Sequence, residues 1–252
     1  MKKVLVIGDV CKDVFHYVKC ERLCPEAPVP VVTVVETKSN DGMAGNVARN
    51  IKSLGLEADS ICNEEQITKT RYVDDNTNQM FIRVDSQNEV TKLENLESID
   101  FSKYSAVVIS DYDKGFLSEE DITKISELHP LTFLDTKKYL GNWCKNITYI
   151  KINSFEYNRT LHTVGPEDEH NLIDKMIITK GSDGCQYRGK VYPVDKVDVK
   201  DLSGAGDTFL AGLVWHYLSH ENIFCSNLTT SPRLWSDGFN RSKRKRNWLL
   251  GV

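Results

Sequence analysis

Residues Asp201 to Phe209 read Asp-Leu-Ser-Gly-Ala-Gly-Asp-Thr-Phe, and an apolar run from Thr208 to Tyr217 follows, interrupted only by Gly212. This spacing predicts a turn that opens into a helix. At such a start the first backbone N–H groups have no partner inside the helix and the helix dipole is positive, so an anion is held there. Gly204, Ala205 and Gly206 are small enough to let it approach. Asp207 would stand beside that anion and take the proton of a hydroxyl as the oxygen attacks a phosphoryl group. The same four residues also fit a glycine turn with Asp207 as an ordinary helix N-cap. With a reference pKa of about 3.9, Asp207 is expected to be ionised at neutral pH.

The elements that must position such a site come from the rest of the chain. At 252 residues it suits one α/β domain with a large core. A net charge of -4 gives no general attraction to nucleic acid or to an anionic membrane. The seven cysteines have no paired C-x-x-C spacing, which suggests neither zinc nor a disulfide framework and suits a reducing cytosol. No run reaches transmembrane length, and the apolar start before Asp9 is too short for a signal peptide. His216 and His220 lie four apart and could share a helix face without a third metal ligand.

Val4 to Gly8 reads as a buried strand delivering Asp9 to its carboxyl end, where open α/β sheets bind ligands. Pro25 to Pro30 leads into an extended arm over Val31 to Val35, and Met43 to Leu54 reads as a helix stopped by Gly55. Strands are expected at Lys69–Val73 and Gln79–Val84, then at Ala106–Ser110, Leu131–Leu134, Thr148–Ile152 and Met176–Thr179. A helix over Ser118–Leu128 and a hairpin from Gly184 to Pro193 complete the reading. The alternation predicts a mostly parallel sheet with helices on both faces and a small β lid.

With these residues in view, the chain resembles the ribokinase-like (PfkB) carbohydrate kinases. Gly204-Ala205-Gly206-Asp207-Thr208 is similar to their C-terminal signature, and Gly42-Met43-Ala44-Gly45-Asn46-Val47-Ala48 to their N-terminal one. Gly8-Asp9-Val10 with Asp13, Pro25 to Val32, Ile67-Thr68-Lys69 with Arg71, Ile82 to Asp85, and Ser110-Asp111-Tyr112 with Lys114-Gly115 resemble the kinase part of bacterial heptose 7-phosphate kinases. The order is kept from Val4 to about Leu218. The resemblance implies Asp207 as base and the amides of Gly204 to Gly206 as anion hole. It implies Asn153 and Glu156, an N-x-x-E pair, at the magnesium shell, directly or through water, and Thr179, Lys180 and Gly181 at ATP. Asp13, Gly42 and Asn46 match sugar-contacting positions. Arg71, Lys114 and Lys137 are nominated for a substrate phosphate, since a dianion needs cationic partners. The implied reaction is transfer from ATP, with magnesium, to the anomeric hydroxyl of heptose 7-phosphate in a cytoplasmic homodimer joined through the lid. The alternatives are a nonenzymatic sugar-phosphate-binding protein and a kinase for another sugar.

The chain also departs from that pattern. Only about ten residues separate Gly55 from Gln66, which predicts a shortened sheet edge, and Asp135-Thr136-Lys137 and Lys151-Ile152-Asn153 replace Asp-Pro-Lys and Thr-Pro-Asn. The kinase domain is expected over residues 1–222, with lid strands at about 25–36 and 68–85. Residues 223–252, with Pro232 and the basic run Arg241 to Arg246, do not resemble the family ending. They read as a disordered end, a basic tail for acidic partners, or the product of a shifted reading frame.

Overall fold

Lys3–Gly8 forms β1, and Val4 to Ile7 are completely buried. A strand covered on both faces needs a continuous apolar run, which these residues supply. The computed structural model describes residues 2–86, 89–161, 165, 171–194 and 204–223. In it β1 sits between two parallel neighbours, β4 (Glu57–Cys62) at the sheet edge and β7 (Ala106–Asp111). Beyond β7 come β8 (Thr132–Thr136), β9 (Tyr149–Asn153) and β10 (Met176–Thr179), all parallel. The antiparallel β11 (Cys185–Tyr187) and β12 (Lys190–Tyr192) finish this eight-stranded sheet. The expected mostly parallel α/β sheet is therefore present. The short stretch after Gly55 forms only β4, so the sheet stops there.

Helices cover both faces. On one, Val4 and Val6 pack with Val47 and Ile51 of α1 (Ala44–Ser53) and with Leu210 and Val214 of the last described helix. On the other, Leu5, Ile7, Val107 and Ile109 pack with Ile122 and Ile125 of α2 (Glu119–Leu128). Each such side chain contributes about 1.5–3 kcal/mol by leaving water. A reciprocal Ser118–Asp121 capping box starts α2, and Pro130 stands two residues beyond its end. After β9 comes α3 (Ser154–Leu161), and α4 (Ala205–His220) comes last.

Above the sheet lies a separate four-stranded one, ordered β3-β2-β5-β6. It is built from β2 (Val10–Leu23), β3 (Pro30–Met43), β5 (Thr68–Asp74) and β6 (Met80–Asp85). Three differences from the sequence reading stand out. The strand after the prolines begins at Pro30 and runs to Met43, and residues 25–29 turn rather than extend. The helix begins at Ala44, because Met43 adopts a positive φ of 56° and ends β3. Strand β2 has no counterpart in the sequence reading. It is half-exposed, so it carries no continuous apolar run for pattern reading to find.

No described helix is long and apolar enough to cross a membrane. His216 and His220 do stack, with ring centroids 4.4 Å apart. Asp201 to Ser203 of the opening motif and residues 224–252 of the unusual tail lie outside the described residues.

Candidate active site

The α4 start decides between the two readings of Asp207. Gly204 is the N-cap, in the left-handed conformation at φ 73°, and Ala205, Gly206 and Asp207 are the first three helical residues. Asp207 therefore does not cap the helix. Its side chain, 3% exposed, faces α1 and the loop after β7 instead. Asn46 Nδ2 donates to Oδ2 at 2.8 Å, and the Tyr112 hydroxyl donates to Oδ1 at 2.7 Å. Asn46 is itself held, because its Oδ1 accepts from Arg49 at 2.5 Å. A second link between the helices runs from Asn50 Nδ2 to Thr208 Oγ1 at 3.1 Å.

Burial is the largest influence on the Asp207 carboxyl and raises its pKa above the ordinary value. The donors Asn46 and Tyr112 pull it back, the Asp135 charge pushes it up, and the Lys151 charge lowers it. The result is a stronger base than an exposed aspartate. Burial and the Asp207 charge together push the Tyr112 phenol far up, so it stays a donor.

Both glycines of the turn have close neighbours, and at Gly204 the positive φ favours glycine as well. A Cβ on Gly204 would meet Asn46 Nδ2 at 2.5 Å, and one on Gly206 would meet Lys151 Nζ at 2.8 Å. Lys151 is buried and pairs with buried Asp135 at 2.8 Å. Lys137 continues the chain of charges, with Nζ 3.7 Å from Asp135 Oδ1 and hydrogen-bonded to Glu156 Oε1. Lys151, which departs from the family pattern, thus adds a fourth charge to an alternating row beneath the start of α4.

Asn153 and Glu156 form a capping box at the start of α3. Glu156 Oε2 accepts from the Asn153 amide at 2.8 Å and Asn153 Oδ1 from the Glu156 amide at 2.9 Å. The spacing read as magnesium chemistry therefore also has a structural use. Among the described residues no group of three or more His, Cys, Asp or Glu side chains is arranged to hold a metal. At the neighbouring strand end, Thr179 Oγ1 donates to the Ile152 carbonyl at 3.2 Å and Lys180 Nζ to Gln186 at 2.5 Å. Gly181 follows at φ 60° with nothing near its missing Cβ.

On the lid side, Asp13 folds over Gly42, where a Cβ would lie 2.3 Å from Asp13 Oδ2. Asp13 Oδ1 pairs with Arg71 at 2.6 Å. Arg71, nominated for a phosphate, thus already holds a carboxylate. Lys114 contributes its amide, 3.4 Å from Asp9 Oδ2, and its ammonium makes no ion pair among the described residues. Asp9, fully buried, also accepts from the Tyr112 amide at 2.6 Å and so fixes the loop that aims Tyr112 at Asp207. Asp207, Asn46, Gly204 to Gly206 and Lys137 converge, and Asp13 with Arg71 meets them across the lid. Tyr112, Lys69 and Lys151 were not singled out from the sequence. The signal of Tyr112 and Lys69 was only a place inside longer matching segments, and that of Lys151 a departure from the family pattern.

A buried carboxylate thus stands at a glycine-built helix start, at the carboxyl ends of a parallel sheet and beside a second, smaller sheet. The family model for pfkB family carbohydrate kinase matches residues 62–224, and the chain belongs to that family. It is 30% identical over 278 residues to the bifunctional protein HldE of Helicobacter pylori (strain J99 / ATCC 700824), an alignment covering 88% of this chain and 60% of the relative. The bifunctional protein HldE of Hyphomonas neptunium (strain ATCC 15444) is 30% identical over 268 residues, covering 84% of this chain and 55% of its own. The chain thus spans under two thirds of the length of these relatives. The fold matches ribokinase from Thermotoga maritima with a TM-score of 0.65 at 13% identity, covering 92% of this chain and 90% of that one. It also matches ribokinase from Cryptococcus neoformans var. grubii serotype A in complex with ADP, with a TM-score of 0.61 at 14% identity, covering 92% and 91%.

Proposed function

We propose that this chain transfers the γ-phosphoryl group of ATP to the anomeric hydroxyl of a heptose 7-phosphate, giving a 1,7-bisphosphate. The observation that carries the reading is the buried Asp207 carboxylate, aimed by Asn46 and Tyr112 and set one residue after Gly206 at the start of α4. The ADP bound by the Cryptococcus neoformans ribokinase supports a nucleotide donor, and the segments that resemble heptose 7-phosphate kinases, with the identity to HldE, support the acceptor.

In this reading Asp207 takes the proton of the acceptor hydroxyl as its oxygen bonds to phosphorus and the ADP oxygen leaves. The N–H groups of Ala205, Gly206 and Asp207, which have no partner inside the helix, steady the charge spread over the phosphoryl oxygens. Asn46 and Tyr112 keep the carboxylate oriented. Thr179, Lys180 and Gly181 line the nucleotide side, and Asp13 and Gly42 the sugar side. Both Glu156 oxygens already accept hydrogen bonds, so Asn153 and Glu156 fit a magnesium ion through its water rather than as direct ligands. When bound with nucleotide, magnesium supplies charge neutralisation at the phosphates. The lid sheet is the surface through which two copies would join.

The test is to incubate the protein with ATP, magnesium and a panel of sugar phosphates, beside Asp207→Asn. Turnover of heptose 7-phosphate that falls by about 100- to 10,000-fold in the variant supports the reading. Binding of sugar phosphates with no ADP released by the unaltered protein defeats it.

A further inference from the structure

The inner face of the lid carries one more cation than it can pair. Between Cys11 and Tyr17 of β2, residues opposite one another across the lid share a face, and this face bears Asp13, Lys69, Arg71, Arg83, Asp85, Glu36 and Lys38. Lys38 pairs with Glu36 at 3.0 Å and Arg71 with Asp13 at 2.6 Å. Arg83 grips both oxygens of Asp85, at 2.7 and 2.6 Å. Lys69 has Asp13 opposite it on β2 and Asp85 opposite it on β6, yet both carboxylates are turned to the arginines. Among the described residues its ammonium has no hydrogen-bond or ion-pair partner.

That ammonium lies 5.2 Å from the centre of the Tyr112 ring, the ring whose hydroxyl holds Asp207. Lys137 Nζ lies at the same 5.2 Å from the ring. Lys69 thus points at the reaction centre, half-buried and uncompensated. Burial lowers the Lys69 pKa, the nearby Asp13 and Asp85 charges offset this only in part, and apart from the Tyr112 ring nothing among the described residues touches its ammonium. A ligand anion is the missing partner.

We infer that Lys69 is the specificity residue that binds an anionic group, a phosphate ester, carried by the acceptor sugar at a position other than the hydroxyl that reacts. This rests on the kinase reading only for the identity of the acceptor. It replaces Arg71, already paired with Asp13, as the lid's phosphate contact, and it sets aside Lys137, already paired with Glu156 and Asp135, on the same ground.

The experiment measures binding by calorimetry to Asp207→Asn protein, which cannot turn over, using D-glycero-D-manno-heptose 7-phosphate and the same heptose without phosphate. Adding Lys69→Met should weaken binding of the phosphate ester about 30-fold and leave the free sugar within about twofold, and Lys69→Arg should retain most of the affinity. Ester binding unchanged by Lys69→Met, or equal binding of ester and free sugar before that change, overturns the inference. Should Lys69→Met not fold, acylation of the unaltered protein read by mass spectrometry decides. Protection of Lys69 by the ester alone supports the role, and equal labelling with both sugars refutes it. ADP release by the unaltered protein reports separately on phosphoryl transfer, so discrimination without ADP release defeats the kinase reading and not the Lys69 one.

Discussion

The Tyr112 hydroxyl donates to Asp207 Oδ1 at 2.7 Å across 95 residues of sequence. The phenol stabilises the ionised form of a carboxyl that burial otherwise pushes towards neutrality. Removing it with Tyr112→Phe should raise the Asp207 pKa further. A base must be ionised to act, so activity is lost as pH falls through that pKa, and the acid limb of the kcat/KM profile should move to higher pH. An acid limb that stays in place would show that the hydroxyl only packs there.

Gly206 leaves room for the Lys151 ammonium, 2.8 Å from where a Cβ would stand. In Gly206→Ala either that lysine or the first turn of α4 must shift. We expect kcat to fall about 100-fold with the circular-dichroism spectrum unchanged, since small misplacements at a reacting group are costly. A variant with full kcat would place the transferring group elsewhere.

Lys151 and Asp135 form a buried pair at 2.8 Å. Lys151→Met should destabilise the fold by about 3 kcal/mol, because it strands a buried carboxylate. Lys151→Met combined with Asp135→Leu should recover much of that loss. Urea unfolding of the single and double variants measures both, and additive losses would contradict the pairing.

The Asn153–Glu156 capping box separates structure from chemistry. Asn153→Ala should cost about 1 kcal/mol of stability, read by thermal unfolding. Glu156→Gln keeps an acceptor for the Asn153 amide and loses only charge. If the pair also steadies magnesium, its half-saturating magnesium concentration should rise about tenfold with little change in Tm. An unaltered magnesium requirement would leave the pair as a cap alone.

The parallel strands and the glycine turn that opens the Asp207 helix were legible because each leaves a local mark. β1 and β7 are continuous apolar runs, and Asp207 sits between small residues and a helix. The lid was only half legible. A sheet with one open face alternates apolar and polar residues, and in β2 the polar ones read as loop. Roles that depend on distant partners were not legible at all. Arg71 looks like a free cation until Asp13, from 58 residues earlier, is placed beside it. Lys69 looks like a surface lysine until every neighbouring carboxylate is found engaged. The Asn-x-x-Glu spacing suits a cap and a metal shell equally, so spacing alone cannot choose.

The hydrogen bond from Asn46 to Asp207 spans 161 residues and joins the first long helix of the chain to the last described one. As the chain is synthesised, α1, the lid and most of the sheet emerge well before α4. Even β1 waits for neighbours well along the chain, since Val4 pairs with Ala58 on one side and with Ala106 on the other. Such long-range pairings slow folding. They also set an order of events in which Asp207 arrives last, so a chain halted before it already holds Asn46 and Tyr112, the two donors that orient the carboxylate, and lacks the carboxylate itself.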